Sequence, residues 1–458
     1  MRTGNPDRRE AIRHGVAASA SLFLAPSLLA AVRSLPAGTE RPWLAAALRA
    51  ERWLSQAEQR LDGGLAWPAD PADPKSVSRD LYTGMAGVVL FYLELYHATG
   101  DERAMRIARG GADYLLASVP DEPGDVGMGL YTGLAGNAVV LSLVHDVTRD
   151  DRYLGGVHRV LQLLDRAARP MGRGVEWNDS TDIISGSAGI GLALLALAPK
   201  AQGVDAISLA TKAGDRLVER ARRTGEGLTW LISPQMPRNY PNFSHGTAGV
   251  SYFLATLSAF SQKTEHIDAA LAGAQWLESI RTALPGGGRV IYHSAPGNEQ
   301  LYYLSWCHGP AGTARLYRAL ARVTRDSAWD ARVTECASGI TGMKVPARSP
   351  GFWNNISQCC GNCGVTEFFI ALHGRTRESR HLDYAEEVAQ DTLRRATAEG
   401  EGLKWVQAEH RVRPELLVAQ TGLMQGAAGV GLALLHLDGA RQGRAPVVRL
   451  PDDPFVVT

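Results

Sequence analysis

IISGSAGIGLALLAL, residues 183–197, sets Gly186 and Gly189 at the head of an uncharged run of small and aliphatic residues. Such a run is apolar on every face of a helix, so the helix belongs inside the molecule. The same Gly-x-x-Gly opening returns in LYTGMAGVVLFYLELY, LYTGLAGNAVVLSLV, FSHGTAGVSYFLATL, WCHGPAGTARLYRAL, CCGNCGVTEFFIAL and LMQGAAGVGLALLHL, which makes seven copies. Their first glycines are Gly84, Gly133, Gly186, Gly246, Gly309, Gly361 and Gly426, at steps of 49, 53, 60, 63, 52 and 65 residues. A period of that size means stacked supersecondary units.

Between the glycine motifs lie amphipathic stretches with charged faces, DERAMRIARGGADYLLAS from Asp101, HIDAALAGAQWLESIRTA from His266 and RHLDYAEEVAQDTLRRATAE from Arg380. These read as outer helices, each paired with an inner one. The expected fold is all-α, an α/α toroid of seven inner and seven outer helices. An open solenoid would need polar end caps, and the sequence has none. Short extended pieces in the connecting loops, GVEWNDS, GLTWLIS, GGRVIYHS and GLKWVQAE, are expected to form small ribbons. The glycines serve the entry turn of each inner helix and the close approach of its neighbours.

With 45% hydrophobic residues and a formal net charge of +1, the 458-residue chain is built to bury a large core, and nothing in it asks for nucleic acid. Arg8-Arg9 precede the apolar run GVAASASLFLAPSLLAAV, which reads as a twin-arginine export signal over residues 1–37. The expected division is that signal, one toroid domain over 38–440 and a tail over 441–458. The location that follows is periplasmic or extracytoplasmic, and cytoplasmic if the segment is not a signal. No later stretch sustains a membrane span. A monomer is expected.

Aligning the copies sorts the rare cysteines. The residue before the second glycine is Ala86, Ala135, Ala188, Ala248, Ala311, Cys363 or Ala428, so Cys363 takes an alanine slot and reads as a small packed side chain. Cys336, alone in a helical stretch, reads as core. The residue before the first glycine is Thr83, Thr132, Ser185, His245, His308, Cys360 or Gln425, polar in every copy. One position earlier stand Tyr82, Tyr131, Ile184, Ser244, Cys307, Cys359 and Met424. If the loop tips surround one mouth, Cys307 and Cys359 can converge with Cys360 beside them. Three soft ligands with a fourth position open describe a catalytic zinc site. Cys360-Gly-Asn-Cys363 also scans as C-x-x-C, but a redox pair of that kind belongs to a βαβ setting.

His245 holds the mouth slot, where an imidazole exchanges protons near neutral pH. Asp182, four residues before Gly186, can orient a histidine or cap a helix, and Asp80 sits at the equivalent point of the first copy. His308 is read as a substrate contact, a support for the ligands or an alternative ligand, and His293 more weakly so.

With SHGTAG, WCHGPAG and QCCGNCG in this spacing, the chain resembles the lanthionine synthetase C-like cyclases over roughly residues 41 to 440. The resemblance implies an α/α toroid with one zinc ion held in the fifth and sixth repeats. It also implies activation of a thiol that adds to dehydroalanine or dehydrobutyrine, closing a thioether ring in a peptide. Carried over by position, the ligands are Cys307, Cys359 and Cys360, the last standing where the family has histidine. The general acid/base is His245, with Asp182 as the aspartate of the third motif. His308 falls where peptide cyclases often have tyrosine, and Tyr303 replaces their arginine four residues before the first cysteine.

The expected activity is therefore zinc-dependent thiol addition to a dehydroamino acid, with a peptide or a small thiol as substrate. The alternatives are addition of a thiol such as glutathione to modified proteins and a zinc-bearing toroid that binds peptides without turnover. A toroidal glycosidase would need a facing carboxylate pair, for which Asp80 and Asp182 are the sole candidates, and would leave the mouth cysteines unexplained.

Overall fold

Each repeat places its polar-faced helix outside and its apolar helix inside. The computed structural model describes residues 41–284, 287–291 and 300–455; the signal reading at 1–37 and His293 lie outside the described residues. The outer helices are α1 (Pro42–Gln56), α3 (Glu102–Ala117), α5 (Asp151–Ala167), α7 (Ala206–Arg220), α9 (Thr264–Ser279), α11 (Ala328–Gly342) and α13 (Ser379–Arg394). The inner ones are α2 (Met85–Thr99), α4 (Leu134–Thr148), α6 (Ser187–Leu197), α8 (Thr247–Ser261), α10 (Pro310–Thr324), α12 (Asn362–Thr376) and α14 (Ala427–Arg441).

Each inner helix contacts the next, and α14 returns to α2 while α1 covers α14, so the ring closes. The expected α/α toroid of seven inner and seven outer helices is the observed fold. Outer helices start cleanly where Asp101, Asp150 and Asp205 accept from backbone N–H groups of the first turn. Inner helices instead start at an extended glycine.

The connecting pieces form two-residue or three-residue antiparallel ribbons, as expected. β1 (Gln59–Leu61) pairs with β2 (Gly64–Ala66), β3 (Arg169–Met171) with β4 (Gly174–Glu176), and β5 (Arg222–Thr224) with β6 (Gly227–Thr229). β7 (Thr282–Ala283) pairs with β8 (Arg289–Val290), β9 (Thr397–Glu399) with β10 (Gly402–Lys404), and β11 (Gln407–Ala408) with β12 (Leu417–Val418). A buried tryptophan follows four of these ribbons. The indole N–H groups of Trp67, Trp177, Trp230 and Trp405 donate to carbonyls thirteen residues upstream, at Leu54, Leu164, Leu217 and Thr392, in or just beyond the last turn of an outer helix or at its end. That pin fixes where the chain turns inward.

At the mouth the loops join each other through their backbones. The N–H of Tyr82 donates to the carbonyl of Tyr131 (2.9 Å), Tyr131 to Ile184 (2.9 Å), Ile183 to Ser244 (3.2 Å), and Ser244 to Cys307 (3.1 Å). The circuit closes as Cys307 donates to Cys359 (3.0 Å), Cys359 to Met424 (3.1 Å), and Met424 back to Tyr82 (2.9 Å). Apart from Ile183, which stands one residue before Ile184, these are the residues of one repeat slot. The second glycine of each copy makes room for this: a Cβ on Gly312 would stand 1.9 Å from the Trp306 carbonyl and one on Gly429 1.7 Å from that of Leu423.

Within the stretch set apart above as a tail, residues 447–455 pack against the core. Glu94 of α2 accepts from the N–H groups of Val447 (3.0 Å) and Val448 (2.9 Å), and the Tyr252 hydroxyl donates to the Pro451 carbonyl. Arg315 donates to the Asp452 carbonyl at 2.7 Å, and the Asp452 carboxylate accepts from the Trp306 indole (2.8 Å) and the Tyr131 hydroxyl (3.1 Å). The terminal stretch therefore crosses the lumen and holds two loop-end side chains from beneath. Asp452→Ala leaves both buried donors unsatisfied, at about 1–3 kcal/mol each. We expect urea unfolding to show a loss of about 3 kcal/mol with the helical signal of the native state unchanged.

Candidate metal centre

Cys307 and Cys359 are neighbours in the backbone circuit, and Cys360 follows directly, so the strand of hydrogen bonds that closes the mouth also brings three thiols together. Their Sγ atoms lie within 4.8 Å of one another, the one group of three or more such donors among the described residues. Cys307 and Cys360 approach to 3.1 Å and Cys359 and Cys360 to 3.4 Å, and all five cysteines are free. The donor set fits zinc: three thiols converge, and an ion bound at about 2.3 Å by tetrahedral thiolates would space them about 3.8 Å apart, a few tenths of an ångström wider than the two approaches to Cys360. Cys363 is buried in α12 and stands apart from this group.

Electrostatically the cluster favours one thiolate. Hydrogen bonds from Cys307 and Cys360 hold the Cys359 thiol well below the ordinary range, while burial pushes Cys307 well above it. The Tyr82 hydroxyl donates to Cys359 Sγ at 3.1 Å and itself accepts from Gln425 Nε2 at 3.0 Å. Burial and the nearby sulfur charge keep Tyr82 protonated and therefore a donor. Tyr82 occupies the first repeat's copy of the slot that holds Cys307 and Cys359. The slot alignment could have nominated it; the chemistry of tyrosine, which does not ligate zinc in this pattern, hid it.

His245 and Asp182 meet across the circuit. Asp182 Oδ2 is 2.6 Å from His245 Nδ1, while Asp182 Oδ1 accepts from the N–H groups of Ser185 and Gly186, each at 2.8 Å. Asp182 is not a helix cap, since α6 starts at Gly186 without a side-chain cap; one of its oxygens closes the turn that leads into the helix and the other orients the imidazole. Asp80 closes the equivalent turn, accepting from Thr83 and Gly84. The Asp182 side chain is 2% exposed and that of His245 39%, so a buried anchor holds an accessible ring. Desolvation pulls the His245 pKa down, but the hydrogen bond and charge of Asp182, with the charge of Cys359, outweigh it and hold the pKa above its ordinary value. With Nδ1 engaged, Nε2 is the nitrogen that exchanges protons with the mouth.

His308 and Tyr303 sit one layer away from the thiols. Their rings stack at 4.8 Å, His308 is hydrogen-bonded by the Asn242 amide, and it lines a crevice with Tyr317 and Cys336. Asn242 also accepts from the N–H of His245 at 2.9 Å, so it positions two histidines at once. Tyr303 receives a hydrogen bond from Arg411, in the loop between β11 and β12, and feels the charges of Cys360 and Cys307. Asn242 stands four residues before Gly246, the slot of Asp80 and Asp182, and accepts from the N–H three residues on as they do, so the repeat alignment could have marked it; Arg411 lies outside the glycine motifs and left no such signal.

A family profile described as "Lanthionine synthetase C-like protein" matches residues 75–448. Among solved structures the chain is similar to one described as "Nisin cyclase", with a TM-score of 0.60 and 15% identity over 89% of this chain and 95% of that one. It is more distantly similar to an inactive variant of an α-1,6-mannanase from a Salegentibacter species (TM-score 0.45, 12% identity, 87% of this chain and 99% of that one). A "sugar epimerase from ruminal bacterium" stands at a TM-score of 0.45 and 10% identity, over 91% of this chain and all of that one (100%). No curated protein matches.

The His245–Asp182 pair generates a pH prediction. Because the folded-state pKa of His245 is raised, the pair stabilises the fold fully below the ordinary histidine value of about 6.5, and this contribution fades as pH rises through the folded value. Asp182→Asn keeps an oxygen for the turn N–H groups of Ser185 and Gly186 and removes the charge. The His245 ring resonances should then titrate at lower pH than in the unsubstituted protein, and the added stability below about pH 6.5 should disappear.

Proposed function

The chain belongs to the lanthionine synthetase C-like family, and from that premise we propose that it is a thioether-forming enzyme, adding a thiol to the β-carbon of a dehydroalanine or dehydrobutyrine residue in a peptide. The observation that carries this reading is the convergence of three thiols, those of Cys307 and Cys359 buried and that of Cys360 partly so, with an imidazole anchored through Nδ1 by a buried carboxylate. One part suits activation of a nucleophile and the other delivery of a proton.

Zinc held by Cys307, Cys359 and Cys360, with one position open, would supply the Lewis acidity that makes a substrate thiol a thiolate near neutral pH. Cys360, where the family has histidine, adds a further negative charge to the site, which favours a more nucleophilic substrate sulfur. Tyr82 stabilises Cys359 and remains protonated throughout. The sulfur lone pair forms the bond to the β-carbon, and the π pair of the alkene moves to the α-carbon and its carbonyl as an enolate. His245 Nε2–H gives the α-carbon its proton and is replenished by the proton the thiol released, so no oxidant or reductant is consumed. Asp182 keeps Nδ1 protonated and the ring in position.

Tyr303 and His308, stacked on each other where peptide cyclases carry arginine and tyrosine, favour a second reading in which the nucleophile is a small thiol such as glutathione. Failure to turn over either substrate would leave a zinc-bearing peptide-binding toroid. On the strength of Arg8-Arg9 and the apolar run behind them, we place the reaction outside the cytoplasm.

The test is mass spectrometry and free-thiol counting on a peptide that carries dehydroalanine and cysteine, and on the same peptide without cysteine plus glutathione. Loss of the free thiol at unchanged mass means ring closure, and a glutathione adduct means intermolecular addition. His245→Asn should slow turnover by about 10²- to 10⁴-fold with metal content unchanged. Full turnover by that variant would contradict the assignment of His245.

A further inference from the structure

On the side of the mouth circuit away from the thiols, the lumen holds a cavity of ≈ 350 Å³. Protein interiors are packed to crystal density, and voids larger than a water are few. A cavity of this size falls instead in the range of small-molecule sites, about 300–1,000 Å³. It reaches from Tyr131 and Met424 under the mouth loops to Arg377, just past α12, and Gly443, just past α14, at the opposite end of the ring.

The buried charges His436 and Arg315 of its wall face carboxylates. His436 gives Nδ1 to Glu367 at 2.8 Å, and burial, which would lower its pKa, is overcome by the charge of Glu367 and by Glu94, so the ring is pushed up to about 10 and stays an imidazolium. Arg315 is neutralised by Asp452 and Asp453, and the Asp452 carboxylate is further held by Trp306 and Tyr131. What remains unmatched are Arg377 and Arg449, both on the cavity lining, neither with a carboxylate within ion-pair distance among the described residues; Arg449 meets only the Pro446 carbonyl. Between these cations and the mouth loops the lining includes Ile370, Leu423, Leu432 and Phe455.

We infer that this lumen cavity is a second ligand site, separate from the thiol cluster, which takes a small amphipathic anion: an apolar body among Leu432, Ile370 and Phe455 and an acidic head at Arg377 and Arg449. The inference does not depend on the thiol-addition reading. A ligand there would bear on the underside of Tyr131 and Met424, two members of the mouth circuit, and so would touch the frame that holds the cysteines.

Anilinonaphthalene sulfonate, an apolar fluorophore with one acidic group, tests this on the full chain by fluorescence titration. The expected result is saturable binding at one site per chain, displaced by decanoate and not by decylamine. Charge reversal at two exposed rim positions, Arg377→Glu with Arg449→Glu, should weaken binding about tenfold or more, as for hydrogen bonds to charged groups. Leu432→Trp, which fills the cavity, should abolish it. The arginine pair decides should the tryptophan variant fail to fold. Absence of saturable binding, equal displacement by decylamine, or an unchanged titration in the arginine variant would overturn the proposal.

Discussion

Seven backbone hydrogen bonds, one from each repeat to the next, close the mouth of the toroid, and the site hangs from them. Each contributes about 1 kcal/mol net, but one left unmade among buried loops costs about 1–3 kcal/mol, so the loops are held together or not at all. The circuit explains the repeated glycines, since a Cβ at Gly312 or Gly429 would collide with the carbonyl of the residue just before the circuit position. It also explains why cysteines about fifty residues apart in sequence meet. Cys307 donates its N–H to the carbonyl of Cys359, and that single bond sets their side chains side by side without any disulfide.

The loop end of the ring gathers thiols, an imidazole and their buried anchors, where desolvation and close charges set protonation. Beneath it run residues 447–455, whose Asp452 ties Trp306 and Tyr131 from below. Trp306 immediately precedes Cys307, so the terminus and the thiol cluster share a support. The interior carries buried charge in matched sets, His436 between Glu367 and Glu94 and Arg315 between Asp452 and Asp453. Such sets specify how the ring closes more than they stabilise it.

The ring was legible because its period is written in glycines and in helices that are apolar all round. The cysteine cluster was legible for the same reason: aligning seven copies turns distant residues into neighbours. What escaped was whatever breaks the repeat or takes part through an unexpected atom. Tyr82 sat in the right slot but reaches Cys359 through a hydroxyl. Asn242 shares the slot of Asp80 and Asp182 but is an amide where they are carboxylates, Arg411 lies outside the glycine motifs, and residues 447–455 carry no repeat, so their packing into the core left no periodic trace. Asp182 reads as cap or orienter in sequence; its carboxylate has two oxygens, and the fold uses one to close the turn before α6 and the other to hold His245. His308 shares a slot with His245 and Cys360 yet stacks on Tyr303 away from the thiols; slot identity fixes the backbone and not the rotamer.

The central claim is that Cys307, Cys359 and Cys360 together hold one zinc ion at the mouth. X-ray absorption at the zinc edge on the protein purified under reducing conditions, beside its Cys359→Ala counterpart, tests it most directly. The account predicts about one zinc per chain with three sulfur neighbours near 2.3 Å, and loss of that signal in the variant. A folded protein that binds no zinc, or one whose zinc shows no sulfur neighbours, would contradict it.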